Sequence, residues 1–223
     1  IPTIIYQNTQ IPNRPESIKK GEHDKIISIL TDTAKKLTAA GADLILLPCN
    51  TVHYYHDAIQ SRTNVPVYDM VDLTAEYLSE KAGKSQKGEV IGKEKRKNGN
   101  ENTSRKFGLI GHDLLREEVY EKRFSSRGFE LVSPPDVAQE LITRIIWDIK
   151  VTGPTPEMRE QLLGIFNNMR NEQSIEWIIL GCTELPLLFQ KDNLESLKLV
   201  DPMEVLAKYV VRMIKGVINE QII

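Results

Sequence analysis

Short runs of apolar, β-branched residues alternate along this chain with stretches in which apolar residues recur every three or four positions. Runs of the first kind are typical of buried strands, and the wider spacing is typical of one face of a helix. The predicted strands lie at residues 3–7, 43–47, 65–68, 107–110, 130–132, 176–180 and 198–200. Because strands and helices alternate almost throughout, the pattern predicts an α/β fold in which helices flank parallel sheets.

The helical stretches fall between these strands, at residues 24–40, 71–81, 114–125, 137–150, 155–170 and 203–218. In the first of them, the apolar residues that share one face are Ile26, Ile27, Leu30, Ala34 and Leu37. Gly41 follows, and a glycine just after a helix provides a favourable end. Thr155 and Pro156 form a suitable N-cap and first residue for a later helix.

Residues 83–106 interrupt this rhythm because they are polar, rich in glycine and lysine, and almost free of apolar residues. Such a composition predicts an exposed loop or linker. Its basic run is interpreted as solvated surface rather than as a site for an anionic partner. The linker would separate a first α/β domain at 1–82 from a second at 107–200. The C-terminal helix, within 201–223, is expected to pack back on the first domain.

Two similar segments occur, one in each predicted domain. The strand in ADLILLPCNT ends near Cys49 and Thr51, and VYDMVDLTAEYL then places an aspartate between a short strand and a helix. WIILGCTEL repeats the first arrangement with Cys182 and Thr183, and LVDPMEVLAKYV repeats the second. An internal repeat of this kind predicts two related halves, with the two cysteines facing each other across a cleft.

Two cysteines in these positions are suited to a particular chemistry. Ligands of open α/β sheets bind at the carboxyl ends of the strands, and a helix that starts there can lower a thiol pKa or bind a carboxylate. One thiolate can remove a proton from carbon while the opposite thiol delivers a proton to the other face. The alternatives are that both cysteines are inert buried residues, or that they form a redox disulfide, although no CxxC motif is present.

Composition narrows the possible partners. The formal net charge is −2, so bulk electrostatics give no support for a nucleic acid or membrane partner. No apolar run approaches the roughly 20 residues of a membrane span. With two cysteines and no visible signal peptide, a cytoplasmic location is expected. His53 and His56 lie near Cys49, but their spacing is not specific for zinc, so they are interpreted as surface or hydrogen-bonded residues and no metal is predicted.

Three motifs carry a resemblance to a known family. PCNTVHYYHDAIQ and ILGCTELPLLF resemble the Cys-Asn-Thr-x-His and Gly-Cys-Thr-Glu motifs of the aspartate/glutamate racemase superfamily, in its aspartate racemase branch. QNTQIPNR at residues 7–14 is similar to that branch's Asn-x-x-x-Ile-Pro-Asp-Arg segment. The resemblance covers most of the chain outside residues 83–106. It implies two pseudo-symmetric α/β domains with the active site in the cleft between them, cofactor-independent racemisation of an acidic amino acid, and a homodimer.

The resemblance also implies roles for particular residues. Cys49 and Cys182 match the two catalytic acid/base positions. Arg14 matches the arginine that holds a substrate carboxylate, a task for which a planar bidentate donor is well suited.

Four further residues match polar positions of the two cysteine motifs. Asn50, Thr51 and Thr183 would donate hydrogen bonds to the substrate α-carboxylate, or cap the turns in which they lie. Glu184 would contact the substrate ammonium group or orient nearby donors, although a carboxylate in a first helical turn is also favoured by the helix dipole alone.

The sequence departs from the family pattern in three places. A glycine-rich strand and helix usually precede the IPNR segment, so we expect that upstream sequence is missing before Ile1. His112 and Leu115 stand where the family carries the threonines of a Gly-Thr-x-x-Thr segment. Lys150 is the nearest match to a lysine that contacts the substrate side-chain carboxylate.

The expected substrate is aspartate first and glutamate second. One alternative is an impaired or non-catalytic homologue that binds an amino acid. Another is a different reaction on the same scaffold, but such relatives often keep only one of the two cysteines.

Overall fold

Buried aliphatic and aromatic side chains build the strands of this chain, which is represented by a computed structural model describing residues 1–85, 105–189 and 197–216. The strands are β1 (Ile45–Leu46), β2 (Val67–Tyr68), β3 (Arg105–Ile110), β4 (Phe129–Val132), β5 (Trp177–Leu180) and β6 (Lys198–Val200). β1 and β2 form a small sheet, and the others form a four-stranded sheet in the order β4–β3–β5–β6. Every pairing in these sheets is parallel, so the predicted α/β class is confirmed.

The helices that flank these sheets are α1 (Arg14–Lys20), α2 (His23–Ala39), α3 (His56–Gln60), α4 (Met70–Ser85), α5 (Glu121–Ser125), α6 (Asp136–Thr152), α7 (Pro156–Gln173) and α8 (Pro202–Ile214). The predictions that correspond to α2, α4, α6, α7 and α8 are confirmed, although positions 217 and 218 of the last lie outside the described residues. The Thr155 hydroxyl caps α7 by accepting from the Met158 amide at 3.3 Å. Gly41 follows α2 with φ of 92°, a left-handed conformation that favours glycine.

The predicted strand at residues 3–7 is wrong. This segment forms no strand, and Ile5 is 87% exposed. A strand needs a neighbour to satisfy its backbone, and none of the described residues pairs with these five positions. The α1 helix was not predicted because it has little apolar periodicity. It begins where the Asn13 side chain accepts from the Glu16 amide at 3.2 Å.

Two other predicted boundaries change. The linker predicted at 83–106 is shorter at both ends, because α4 continues to Ser85 and β3 begins at Arg105. The remainder, positions 86–104, lies outside the described residues. The helix predicted at 114–125 consists of a π-helical turn at Arg116–Tyr120 followed by the short α5.

The internal repeat is present in the structure. In the first half, β1 leads to Cys49 and a 3₁₀ turn at Asn50–Tyr55. In the second half, β5 leads to Cys182 and a 3₁₀ turn at Leu185–Leu188. In each half a short strand follows, and the aspartate directly after it caps the next helix. Asp69 accepts from the Val71 amide at 2.9 Å before α4, and Asp201 accepts from the Met203 amide at 2.9 Å before α8.

Layers of side chains hold the larger sheet in place. One face packs on α6 and α7 through residues such as Ile146, Phe166 and Ile178. The other face packs on α4 and α5 through residues such as Leu78, Phe107 and Phe124. The helix α4 therefore belongs to the first half in sequence and covers the sheet of the second half.

The last described helix, α8, packs against the first half of the chain. Leu206 and Val210 of α8 pack against Tyr68 in β2 and against Met70 and Leu73 at the start of α4. The two halves consequently pack against each other through α4 and α8, and the carboxyl ends of β1 and β5 open towards one cleft.

Candidate active site

A cleft of about 280 Å³ lies between the two cysteine turns and is lined by residues of both halves. Its walls include the residues predicted to act on or bind a substrate, which are Arg14, Cys49, Asn50, Thr51, Cys182, Thr183 and Glu184. These residues are far apart in sequence. They meet here because each cysteine turn starts at the carboxyl end of a parallel strand, and because α1 begins beside the first of them.

Cys49 has polar neighbours on both sides. Its backbone is extended, with φ of −159° and ψ of 122°, and it immediately precedes the 3₁₀ turn. Arg14 Nη2 lies 3.8 Å from Cys49 Sγ, and Thr51 Oγ1 lies 3.3 Å from the same sulfur. The guanidinium thus sets a positive charge and an N–H donor next to the first thiol.

Cys182 has the opposite electrostatic surroundings. Its thiol donates to Glu184 Oε2 at 2.8 Å, and the same carboxylate oxygen accepts from the Thr183 hydroxyl at 3.1 Å. Burial, together with the Glu184 carboxylate, raises the pKa of the Cys182 thiol to about 12. Burial alone would also raise the pKa of Glu184, but its partners Cys182 and Lys150 hold that pKa below its ordinary value. The second thiol is therefore protonated and faces an ionised carboxylate.

Arg14 is held with part of its hydrogen-bonding capacity unused. Its Nη1 donates to the Pro12 carbonyl at 3.4 Å, whereas its buried Nε has no partner among the described residues. A buried N–H without a partner costs free energy that a bound anion would offset. The position and the spare donor fit a carboxylate site at this end of the cleft.

Lys150, His112 and Leu115, the three residues that stand at departures from the family pattern, also line the cleft. Lys150 Nζ lies 3.5 Å from Glu184 Oε1 and 4.8 Å from the centroid of the Trp147 ring. Burial lowers the pKa of His112 below its ordinary value, although its partner Asp113 opposes this shift. The neutral imidazole is thus a polar group in the wall rather than a third cation.

Sequence reasoning missed Thr143 and Trp147, which line the cleft from α6. Together with Lys150 they occupy one face of that helix, because residues four and three positions apart lie one above the other. The available signal was their spacing, which places Thr143 and Trp147 on the same helical face as Lys150. The missed residues supply a polar and aromatic wall opposite the first cysteine turn.

The two histidines near Cys49 have structural roles. His53 is buried, and its Nε2 lies 3.2 Å from the Leu47 carbonyl, so the hydrogen-bonded interpretation is correct for this residue. His56 Nε2 lies 2.6 Å from the Val67 carbonyl. Within residues 1–85, 105–189 and 197–216, no group of three histidine, cysteine or carboxylate side chains is arranged to hold a metal ion. None of the helices in these same ranges is long and apolar enough to span a bilayer.

The family model for Asp/Glu/hydantoin racemases matches residues 1–210 of the chain. The chain belongs to this family. As a member it is an enzyme of the amino-acid racemase type, which is a class of isomerase. The resemblance that the cysteine motifs indicated is therefore confirmed at the level of the family.

Individual relatives agree with this assignment. The chain is 26% identical over 190 residues to the broad specificity amino-acid racemase RacX of Bacillus subtilis, covering 84% of this chain and 71% of RacX. An aspartate racemase homologue from Pyrococcus horikoshii is 27% identical, with a TM-score of 0.68 and coverage of 92% of this chain and 81% of that one. The aspartate racemase of Picrophilus torridus shares the fold at 21% identity, with a TM-score of 0.70 and coverage of 94% and 78%.

Proposed function

We propose that this enzyme racemises an acidic amino acid, aspartate first and glutamate second, by proton transfer at Cα between two cysteines and without a cofactor. One observation carries the proposal. Cys49, Cys182 and the polar residues expected to bind the substrate line a single cleft, although they come from three separate parts of the sequence. A pair of inert buried cysteines would not require this set of polar neighbours.

The unlike surroundings of the two thiols support different roles in one direction of the reaction. Cys49, beside the Arg14 guanidinium, would act as the thiolate that removes the Cα proton. Cys182, which holds its proton against Glu184, would deliver a proton to the opposite face of Cα. The electron pair left at Cα moves onto the α-carboxylate, and the new C–H bond restores the amino acid with inverted configuration. The reverse direction exchanges the two roles.

The charges in the cleft support an acidic substrate. Two cationic side chains, Arg14 and Lys150, line the cleft, one for each carboxylate of an acidic amino acid, and the Glu184 carboxylate can face the ammonium group. An acidic amino acid carries two carboxylates and one ammonium group, and thus one negative charge. We infer that Arg14 binds one carboxylate, that Lys150 reaches the side-chain carboxylate, and that Asn50, Thr51 and Thr183 donate to the α-carboxylate.

We further propose that the enzyme works in the cytoplasm as a homodimer, with domains at 1–82 and 107–200. A reducing compartment would keep Cys49 and Cys182 as free thiols, the form in which both occur here. The dimer rests on the family resemblance, and light scattering on the purified protein measures it directly.

Exchange of the Cα hydrogen for solvent deuterium tests the reaction. The exchange is followed by proton NMR on L- and D-aspartate and on L- and D-glutamate, with circular dichroism to follow stereochemical inversion. We expect exchange and inversion with the wild type. The rate of inversion should fall by at least about 10³-fold in Cys49→Ser and in Cys182→Ser, because the two thiols act together and the loss of either one stops the reaction.

A panel of neutral and basic amino acids serves as the substrate control, since the RacX relative is named for broad specificity. Turnover of alanine or lysine as fast as aspartate would contradict the preference for acidic substrates. Inversion that survives either serine variant would contradict the two-thiol mechanism. An inactive wild type that still binds aspartate would favour the non-catalytic alternative.

A further inference from the structure

Tyr120 is buried directly behind the cleft and contacts one of its predicted substrate donors. It is the last residue of the π-helical turn Arg116–Tyr120, and its side chain is 0% exposed. Its hydroxyl donates a short hydrogen bond to Asn50 Oδ1. Asn50 is itself only 3% exposed, follows Cys49 and lines the cleft. The hydrogen bond therefore joins the second half of the chain to the first cysteine turn.

The donor and acceptor of this hydrogen bond are fixed by the surroundings. Burial, with Asp69 as the next contribution, raises the pKa of Tyr120 well above its ordinary value, so the hydroxyl keeps its proton and acts as a donor. A buried hydroxyl requires an acceptor. Among the described residues Asn50 Oδ1 is the acceptor that it has. The amide oxygen of Asn50 consequently faces Tyr120.

Asn50 lines the cleft, and its amide nitrogen is the end that the hydrogen bond from Tyr120 leaves available. An asparagine side chain has two N–H donors on Nδ2, and in the described part of the chain they make no hydrogen bond to protein. Rotation of this amide by a half turn costs little by itself, because the terminal torsion of asparagine is broad. The Tyr120 hydroxyl is what distinguishes the two orientations.

The π-helical turn sets the position of this hydroxyl. Such turns are rare, occur frequently at functional sites, and carry one more residue than an α-helical turn. The next turn is anchored as well, because Arg123 Nη2 donates to the His53 carbonyl at 3.4 Å. The segment from Tyr120 to Arg123 thus holds the 3₁₀ turn Asn50–Tyr55 at two points.

We propose that Tyr120 is a positioning residue for racemisation: its hydroxyl holds the Asn50 amide so that the Nδ2 donors face the substrate α-carboxylate. The inference rests on the proposed function, in which Asn50 binds that group. The carboxylate oxygens gain negative charge when the Cα proton leaves, and a donor that is oriented beforehand stabilises this charge without reorganising. Without the hydroxyl, the amide could turn its oxygen towards the carboxylate and repel it.

A double-mutant cycle tests this role. We would measure kcat and KM for L-aspartate or L-glutamate, whichever reacts faster, in the wild type, Tyr120→Phe, Asn50→Ala and the double variant. Removal of one oxyanion donor lowers kcat by about 10²–10³-fold, so a loss of its orientation should lower kcat by about tenfold while KM changes by less than about threefold. In the Asn50→Ala background, Tyr120→Phe should change kcat by less than about twofold.

Two further variants make the test specific. Tyr55 is another buried tyrosine, in the same 3₁₀ turn as Asn50, and its hydroxyl lies 3.3 Å from His23 Nδ1 of α2. Tyr55→Phe removes this hydroxyl and should leave kcat within about twofold of the wild type. Asn50→Asp keeps an acceptor for Tyr120 but lacks the N–H donors, so it should lose as much kcat as Asn50→Ala. This variant tests the orientation even where Tyr120→Phe folds poorly.

The outcomes separate this inference from the proposed function. Equal losses from Tyr120→Phe in both backgrounds, no loss in the wild-type background, or full activity of Asn50→Asp would each overturn the positioning role while racemisation stands. A wild type that inverts no amino acid in the panel would overturn the proposed function, and this inference with it.

Discussion

At the scale of single residues, the contrast between the two thiols is the main chemical property of the cleft. Cys49 Sγ faces the Arg14 guanidinium, and Cys182 Sγ faces the Glu184 carboxylate. A two-base racemase needs one thiolate and one thiol at the start of each turnover. The charges that flank the sulfurs suit this proposed division of roles, with Cys182 as the protonated group.

The Glu184→Gln variant tests the second half of this contrast. Glutamine keeps the shape of the side chain but removes the negative charge, so the pKa of Cys182, about 12 in the wild type, should fall. Each unit by which a pKa falls raises the thiolate fraction about tenfold at a fixed pH below that pKa, and thiolate is the form that reacts with iodoacetamide. We therefore expect Cys182 to be alkylated about tenfold faster at pH 8 in Glu184→Gln.

Brief alkylation followed by mass spectrometry of the two cysteine peptides measures this rate, with Cys49 in the same sample as the internal reference. Glu204→Gln is the matched control, because Glu204 is exposed on α8 and pairs with Lys208. An unchanged or slower alkylation of Cys182 in Glu184→Gln would show that the Glu184 carboxylate does not raise the pKa of the Cys182 thiol.

The internal repeat predicted that the two cysteines share a cleft, and both line it, while their catalytic role stays a prediction. Cys49 and Cys182 were recognised as a pair because each follows a strand and precedes a threonine-containing turn. Tyr120 could not be found in this way. Its aromatic ring is typical of a core residue, and only the three-dimensional structure brings its hydroxyl to Asn50.

At the scale of elements, long periodic helices and buried strands were predicted well, and irregular elements were not. The π-helical turn at Arg116–Tyr120 was predicted as ordinary helix, because hydrophobic periodicity does not register a single extra residue in one turn. The strand expected at residues 3–7 has the composition of a strand but no partner among the described residues. The local sequence pattern indicates which secondary structure a segment prefers, but it does not indicate which other segments lie beside it in the fold.

The backbone just after β3 lies tightly against the backbone just after β5. A Cβ added at Gly111 would lie 2.6 Å from Leu115 Cδ1 and 3.1 Å from the carbonyl carbon of Gly181. The Gly181 amide donates to the Ile110 carbonyl at 2.6 Å, which holds the Cys182 turn against the end of β3. The glycine at 111 is therefore favoured by the limited space at this contact rather than by its backbone freedom.

Gly111→Ala should consequently impair both stability and activity. Overpacking of this kind costs about 1–3 kcal/mol, and a shift of the neighbouring Cys182 turn should lower kcat by about tenfold or more. Urea unfolding and the Cα exchange assay measure the two effects.

Gly164→Ala is the matched control, since Gly164 lies within α7 and nothing lies within 4 Å of an added Cβ. It should stabilise the protein by about 0.5–1 kcal/mol and leave kcat unchanged. Equal effects of the two alanines would mean that the contact between the strand ends is unimportant.

At the scale of the whole molecule, an ion pair joins the two halves behind the cleft. The Arg123 guanidinium of α5 binds Asp69 Oδ2 through Nε and Nη2, and the other oxygen of Asp69 caps α4. Burial alone would raise the pKa of Asp69, but His53 and Arg123 hold it below its ordinary value. The aspartate is thus ionised at neutral pH and contributes stability that is lost as the pH falls through its depressed pKa.

Arg123→Met and Arg127→Met compare this pair with a more exposed one. The side chains of Arg123 and Asp69 are 16% and 13% exposed, whereas those of Arg127 and Asp72, 2.8 Å apart, are 27% and 35% exposed. Methionine keeps the length of the stem and removes the charge. Breaking the more buried pair should cost about 3 kcal/mol at pH 7. Breaking the other should cost less than about 1 kcal/mol.

The pH dependence of these costs identifies the partner of Arg123. As the pH falls below the ordinary aspartate range, the unfolded chain gains a proton that the folded wild type, with its lowered Asp69 pKa, does not take up, so the stability supplied by the ion pair is lost. The difference in unfolding free energy between the wild type and Arg123→Met should therefore shrink as the pH falls from 7 to 3. Urea titrations of both variants across this range give the measurement. A constant difference for Arg123→Met, or equal costs for the two variants at pH 7, would mean that packing around α5, rather than the ion pair with Asp69, holds the two halves together.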